Sequence, residues 1–205
     1  MQPSATKRPN SREAILNAAE EIVVEAGAAH LTLDAVAERA GVSKGGLLYN
    51  FSTKEALLQA MLARHIGHVM QMEQDTYDTL PAGPGRGLKA SLLTALECKK
   101  CARDRSLGAS MIAAGANDPK LLEPIRELHR RRLARLTEST GAAAGPAFER
   151  AAVLFLAADG LLLTEMLQVS PFDADQRQRI VAGMLQLIDQ ETDAACRAAA
   201  NRQVN

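Results

Sequence analysis

Lys44, Gly45, Gly46, Tyr49 and Asn50 fall on the outward side of one short expected helix. A cation, an aromatic hydroxyl and an amide can each reach a phosphate oxygen or a base edge. The two glycines lower the backbone's profile there. They also weaken the helix by up to about 1 kcal/mol each relative to Ala, an odd fault in a purely structural segment. Two further spacings could do chemistry. Cys98 and Cys101 form a C-x-x-C, and His65 and His68 an H-x-x-H. A separation of three places each pair on one helix face, where it could bind a metal or, for the thiols, respond to oxidant. Helical cysteines are also ordinary small core residues, so both pairs stay open as structural. No nucleophile–base set, phosphate loop or paired-acid arrangement appears, and an enzyme is not expected.

The surrounding punctuation is that of helices. Ser11 can cap a helix from Arg12 whose apolar residues, Ala14, Ile15, Ala18, Ala19, Ile22 and Val23, keep a 3.6-residue period before Gly27 ends it. Thr32 precedes Leu33–Ala40, Gly41 stops it, Ser43 precedes Lys44–Asn50, and Thr53 precedes a longer helix from Lys54 to about Thr79. Short helix, Gly turn, short helix is the pattern of a helix-turn-helix. Ala37 is small enough for the crossing, Gly41 tolerates a positive φ, and Val36, Ala40, Val42, Leu47 and Phe51 form the small core.

The break at 81–87 is followed by helical patterns at about 88–103, 106–114, 118–140, 147–169 and 173–192. Nothing reads as a strand. The expected fold is all-α with about nine helices. The expected organisation is a flexible arm (1–10), a helix-turn-helix domain (11–53), a sensing and dimerisation domain (54–193) and a flexible tail (194–205).

Charge adds little. The chain carries 24 basic and 24 acidic side chains, so any nucleic-acid face must come from local placement. In the first 54 residues Lys7, Arg8, Arg12, Arg39, Lys44 and Lys54 are matched by Glu13, Glu20, Glu21, Glu25, Asp34 and Glu38. The basic run Arg126–Arg135 reads as a solvated helix face with Leu128, Leu133 and Leu136 as its buried side. Three cysteines are too few for a disulfide framework, and no signal peptide or membrane span is visible, so a cytoplasmic protein is expected.

The run Leu31-Thr32-Leu33, then Val36-Ala37, then Ala40 through Phe51, closing with Lys54-Glu55-Ala56-Leu57-Leu58, resembles the DNA-binding domain of the tetracycline-repressor (TetR) family. The likeness covers about residues 11–62. It implies that Thr32 contacts phosphate at the start of the second helix. It implies that Lys44, Gly45 and Gly46, after Ser43, occupy the base-reading start of the recognition helix. Tyr49 and Asn50 match positions that touch the DNA backbone, and Lys54 a phosphate-binding lysine. Gly46, Leu48, Asn50 and Ser52 depart from the commoner family residues, which leaves the operator sequence open.

The resemblance further implies a homodimeric repressor of double-stranded operator DNA, released by a small, apolar effector and needing no cofactor or metal. The last two long helices are apolar around most of their circumference. In the family such helices pair with the partner subunit, and Leu154, Ala158, Leu161, Leu162, Glu165, Met184, Leu185 and Ile188 are the candidate interface residues. Met61, His65, Met70, Leu96, Met111, Phe155 and Met166 are candidate pocket residues, although Met at helical spacing is equally core. Two alternatives stay open: a thiol- or metal-responsive regulator acting through Cys98/Cys101 or His65/His68, and a helical adaptor that does not bind DNA.

Overall fold

The structure, a computed structural model, describes residues 11–83, 85–97, 102–140 and 145–203, with the side chains of 95–97, 102–106, 111, 117, 138–140 and 191–203 left out. The expected arm at 1–10 and the Cys98/Cys101 pair lie outside the described residues. Among the described residues there are nine α-helices and no strand: α1 (Ser11–Ala26), α2 (Leu33–Ala40), α3 (Lys44–Asn50), α4 (Lys54–Thr79), α5 (Arg86–Glu97), α6 (Ala102–Asn117), α7 (Glu123–Thr140), α8 (Pro146–Met166) and α9 (Ala174–Gln203). Short 3-10 turns at Ala28–His30 and Pro119–Leu122 lead into α2 and α7.

The chain divides into two compact units, and the division does not follow a single cut after residue 53. One unit takes the described residues of Met1–Ile66 together with Arg103–Pro124, the other Gly67–Ala102 with Ile125–Asn205. In the first unit α1 buries Ile15, Leu16, Ala18, Ala19, Ile22 and Val23, the stripe its sequence period requires. α2 and α3 both pack on α1. The caps are made as their residue types demand. Thr32 Oγ1 accepts from Ala35 N at 3.2 Å, Ser43 Oγ from Gly46 N at 3.1 Å, and Thr53 Oγ1 from Ala56 N at 3.1 Å. Gly41, at φ 65°, ψ 32°, turns the chain between α2 and α3 in the left-handed region that favours glycine. With two glycines in its seven residues, α3 is held mainly by its Ser43 cap and by burial of Leu47 and Phe51. Each such burial contributes roughly 1.5–3 kcal/mol, more than the glycines cost.

In the second unit, Leu88 and Leu92 of α5, Leu136 of α7, Leu154 and Ala158 of α8, and Met184 and Ile188 of α9 form a continuous core. α8 ends at Met166, with Gln168 in the left-handed region (φ 57°) and Val169 N returning to Thr164 O at 2.8 Å. α9 does not stop near 192 but continues to Gln203. The Ala-rich run that reads as a fraying tail contains no helix breaker and has high helix propensity. No helix among the described residues is long and apolar enough to cross a membrane.

Candidate nucleic-acid interface

The outward side of α3 is built as a reading surface. The cap on Ser43 fixes the start of the helix, and burial of Leu47 fixes its rotation. Lys44, Gly45 and Tyr49 are then left exposed, Tyr49 at 92%. A phenol ring so far out of any core has no packing role. At Gly45 an added Cβ would meet nothing within 4 Å, whereas at Gly46 it would come to 3.3 Å from Ser43 Oγ. Gly45 is therefore the open position, and Gly46 is half-buried beside its own cap. Asn50 is half-buried too, and its Nδ2 donates to Gly46 O at 2.9 Å, so its amide is engaged along its own helix.

Thr32 is exposed at the start of α2. Lys54, at the start of α4, reaches Ala29 O at 3.4 Å, which carries its ammonium toward the turn before α2. Lys44 Nζ lies 2.8 Å from Asp34 Oδ1 of α2. Ion pairs brace the rest of this unit. Arg39 makes three 3.0 Å hydrogen bonds to Glu25, which hold the Glu25 carboxyl below its usual range. Arg64 of α4 grips Glu20, Glu13 and Asn17 of α1 at 2.7–3.0 Å. The even charge of the segment thus becomes intramolecular pairing.

The expected pocket residues fall in both units. Met61 is fully buried and His65 half-buried in the first unit; Met70, Phe155 and Met166 are half-buried in the second. The side chains of Leu96 and Met111 lie outside the described ones. His68 is exposed. A groove of about 350 Å³ lies elsewhere, lined by Pro146, Glu149, Arg150, Val153, Leu154 and Leu187.

The interior of the second unit instead holds a buried ionic network. Glu73 of α4 is 3% exposed and Arg132 of α7 is 7% exposed. Arg132 Nε donates to Glu73 Oε2 at 2.9 Å, and its NH1 to Asp159 Oδ1 of α8 at 3.2 Å. Ser91 Oγ of α5 donates to Glu73 Oε1 at 2.8 Å, and Arg135 NH1 to the same oxygen at 3.3 Å. His129 Nε2 stands 3.4 Å from Asp159 Oδ2 and meets the Phe155 ring edge-on. The solvated-face reading of 126–135 is corrected here. Leu128, Arg132 and Leu136 recur every four residues on the inward side, while Leu133 is half exposed. Arg132 is the inward residue that counting apolar positions misses.

Burial raises the Asp159 carboxyl above its ordinary value, against the opposing pull of Arg132 and His129 and with the Glu73 charge adding to the rise. A raised acid favours the fold when protonated. That contribution is fully present below the ordinary carboxylate range and is lost as pH rises through Asp159's own titration. Asp159→Asn is therefore expected to be at least as stable as the parent at pH 7, with its advantage shrinking on acidification. Urea titrations of both proteins from pH 4 to 7 measure the difference. A variant less stable at pH 7, or a difference independent of pH, would contradict this balance.

The expected interface residues also sort in an unanticipated way. Leu154, Ala158, Leu161, Met184 and Ile188 are buried within the chain itself, Leu162 and Leu185 are half-buried, and Glu165 pairs with Arg177 of α9 at 2.7 Å. Among the described residues of these helices, the large apolar side chains left outside are Val153, Leu156 and Leu163 on α8, Leu167 at its C-cap, and Leu187 on α9. The α8 members are three and seven residues apart and so share one face, which Leu167, four residues further on, extends.

A capped helix-turn-helix on a three-helix head, followed in the same chain by a second unit whose described elements are helical, is the architecture of the helix-turn-helix class of regulators. Residues 15–61 match the family described as bacterial regulatory proteins, tetR family, and residues 85–189 match the tetracyclin repressor-like C-terminal domain. The chain belongs to the TetR family. It is 27% identical over 119 residues to the HTH-type transcriptional regulator SrpR of Pseudomonas putida, a stretch covering 58% of this chain and about half (54%) of SrpR. It is likewise 27% identical over 119 residues to the HTH-type transcriptional regulator TtgW, also of Pseudomonas putida, covering 58% of this chain and 85% of TtgW. Among solved structures, the transcriptional regulator SCO7518 of Streptomyces coelicolor superposes with a TM-score of 0.69 at 25% identity, over 90% of this chain and 99% of that one.

Proposed function

We propose that this protein is a cytoplasmic transcriptional repressor that binds double-stranded operator DNA as a homodimer and is released by a small-molecule effector. The observation that carries DNA reading is the recognition surface of α3: a capped, rotationally fixed helix that leaves Lys44, Gly45 and an almost fully exposed Tyr49 outward. Thr32 and Lys54, at the starts of α2 and α4, supply backbone contacts on this reading. The homodimer is supported by the uncovered apolar face of α8 and α9, and a two-fold pair of heads suits a palindromic operator. The effector reading rests on family membership. An apolar ligand entering the second unit would have to leave the Glu73–Arg132–Asp159 network intact, because stripping partners from buried charges is costly.

A gel-shift titration against the DNA flanking the protein's own gene, at two salt concentrations and with competitor DNA, tests the reading. Tyr49→Ala and Lys54→Ala are expected to weaken a specific shift without altering thermal unfolding. Lys54→Ala should also flatten the salt dependence by about one unit of slope per subunit. Should both variants bind like the parent, the assigned backbone contacts are misplaced. Should the parent select no DNA from a genomic library, the helical-adaptor reading replaces this one.

A further inference from the structure

Asp34 lies in the first turn of α2, and its carboxylate Oδ1 is 2.8 Å from the Lys44 ammonium that opens α3. Both side chains are mostly in solvent, 73% and 67% exposed. A pair so exposed contributes little to stability. The other acids that pair in this head, such as Glu13 and Glu20 with Arg64 and Glu25 with Arg39, join one helix to another. Asp34 differs because its partner belongs to the candidate DNA-reading set. It is not the cap of α2 either, since Thr32 fills that place.

An ammonium carries three donors. One is directed at Asp34, and two remain on the side facing away from the carboxylate. Guanine presents the acceptors O6 and N7 to the major groove, and its paired cytosine presents the N4 donor, for which a carboxylate is the matching acceptor. The Asp34–Lys44 pair therefore sets two donors beside an acceptor, the complement of a whole G·C edge. An A·T pair offers adenine N7 to one of those donors and the N6 amino group to the carboxylate, but it leaves the second donor without an acceptor and sets thymine O4 beside the Asp34 charge. A DNA phosphate fits worst, because the Asp34 charge repels it while half-neutralising the lysine that would bind it.

We propose that Asp34 is a specificity-determining residue: it holds Lys44 as a base-reading group and, together with it, selects a G·C pair in each half of the operator. The proposal rests on the DNA-binding function above. It explains how a head with evenly balanced charge gains sequence preference in place of general affinity for phosphate.

The test is selection from a random double-stranded library, with sequencing, for the parent, Asp34→Asn and Lys44→Ala. It is followed by affinity measurements on the parent's selected site, on that site with the G·C pair changed to A·T, and on random DNA. The parent is expected to lose about tenfold or more on the changed site. Both variants should lose no more than about twofold. Asp34→Asn should bind random DNA more tightly, with a salt slope steeper by about one unit per subunit, because Lys44 is released to phosphate. Circular dichroism melting checks the fold, and Asp34→Ser is a second neutral replacement should Asp34→Asn fold poorly. If the neutral variants keep the parent's preference at every position and its salt slope, the proposal is overturned while DNA binding stands. A parent site with no Lys44-dependent G·C pair overturns it as well. If the parent enriches no sequence, the DNA-binding function itself fails and this proposal falls with it.

Discussion

Replacing Arg132 by methionine is expected to destabilise the second unit by about 3–5 kcal/mol, the usual cost of removing one partner from a buried ion pair. The side chain is nearly closed to solvent, and its guanidinium bonds both Glu73 and Asp159. Methionine fills a similar length without charge, so the loss is electrostatic more than steric. Glu73 keeps Ser91 and Arg135, but Arg135 is 31% exposed and 3.3 Å away, a weaker counter-charge than the one removed. The double variant Glu73→Leu with Arg132→Met should recover much of the loss, because it leaves fewer buried charges without partners. Urea unfolding of the two single variants and the double variant gives the coupling directly. Single variants costing less than about 1 kcal/mol would place the network in water and not in the interior.

That network also marks where the sequence stops being legible. The head can be read residue by residue because its determinants are local. Thr32, Ser43 and Thr53 each cap the helix that follows them, and Gly27 and Gly41 supply the turns after α1 and α2 that take a positive φ. Distant partners are different. Arg132 stands four residues from both Leu128 and Leu136, a register that places it inside, yet a run of arginines on a helix ordinarily faces water. Glu73 and Asp159, fifty-nine and twenty-seven positions away in the chain, make the inward placement tolerable, and nothing in the local pattern names them. The α8 helix poses a similar problem. With Leu, Val, Ala and Phe around most of its circumference, composition does not decide which side meets the chain's own core. Leu154, Ala158 and Leu161 meet it, and Val153, Leu156 and Leu163 do not.

The distinction yields a second expected result with a large effect. On the homodimer reading, Leu156→Arg is expected to produce a monomer by analytical ultracentrifugation and to weaken operator binding by roughly a hundredfold or more, with the subunit still folded. In a two-fold interface each subunit presents the same patch, so one substitution introduces two desolvated charges that face apolar surface. Leu156 is 64% exposed in the single chain, so little of the subunit's own stability is at stake. Leu154→Ala, two residues away, should behave in the opposite way. Leu154 is 9% exposed within the chain's own core, and its truncation should cost about 2–5 kcal/mol of unfolding free energy while leaving the surviving folded protein dimeric. The pair of variants separates the two faces of one helix. A Leu156→Arg protein that stays dimeric and binds its operator normally would move the subunit contact off this face, and the uncovered stripe on α8 would then need a different partner.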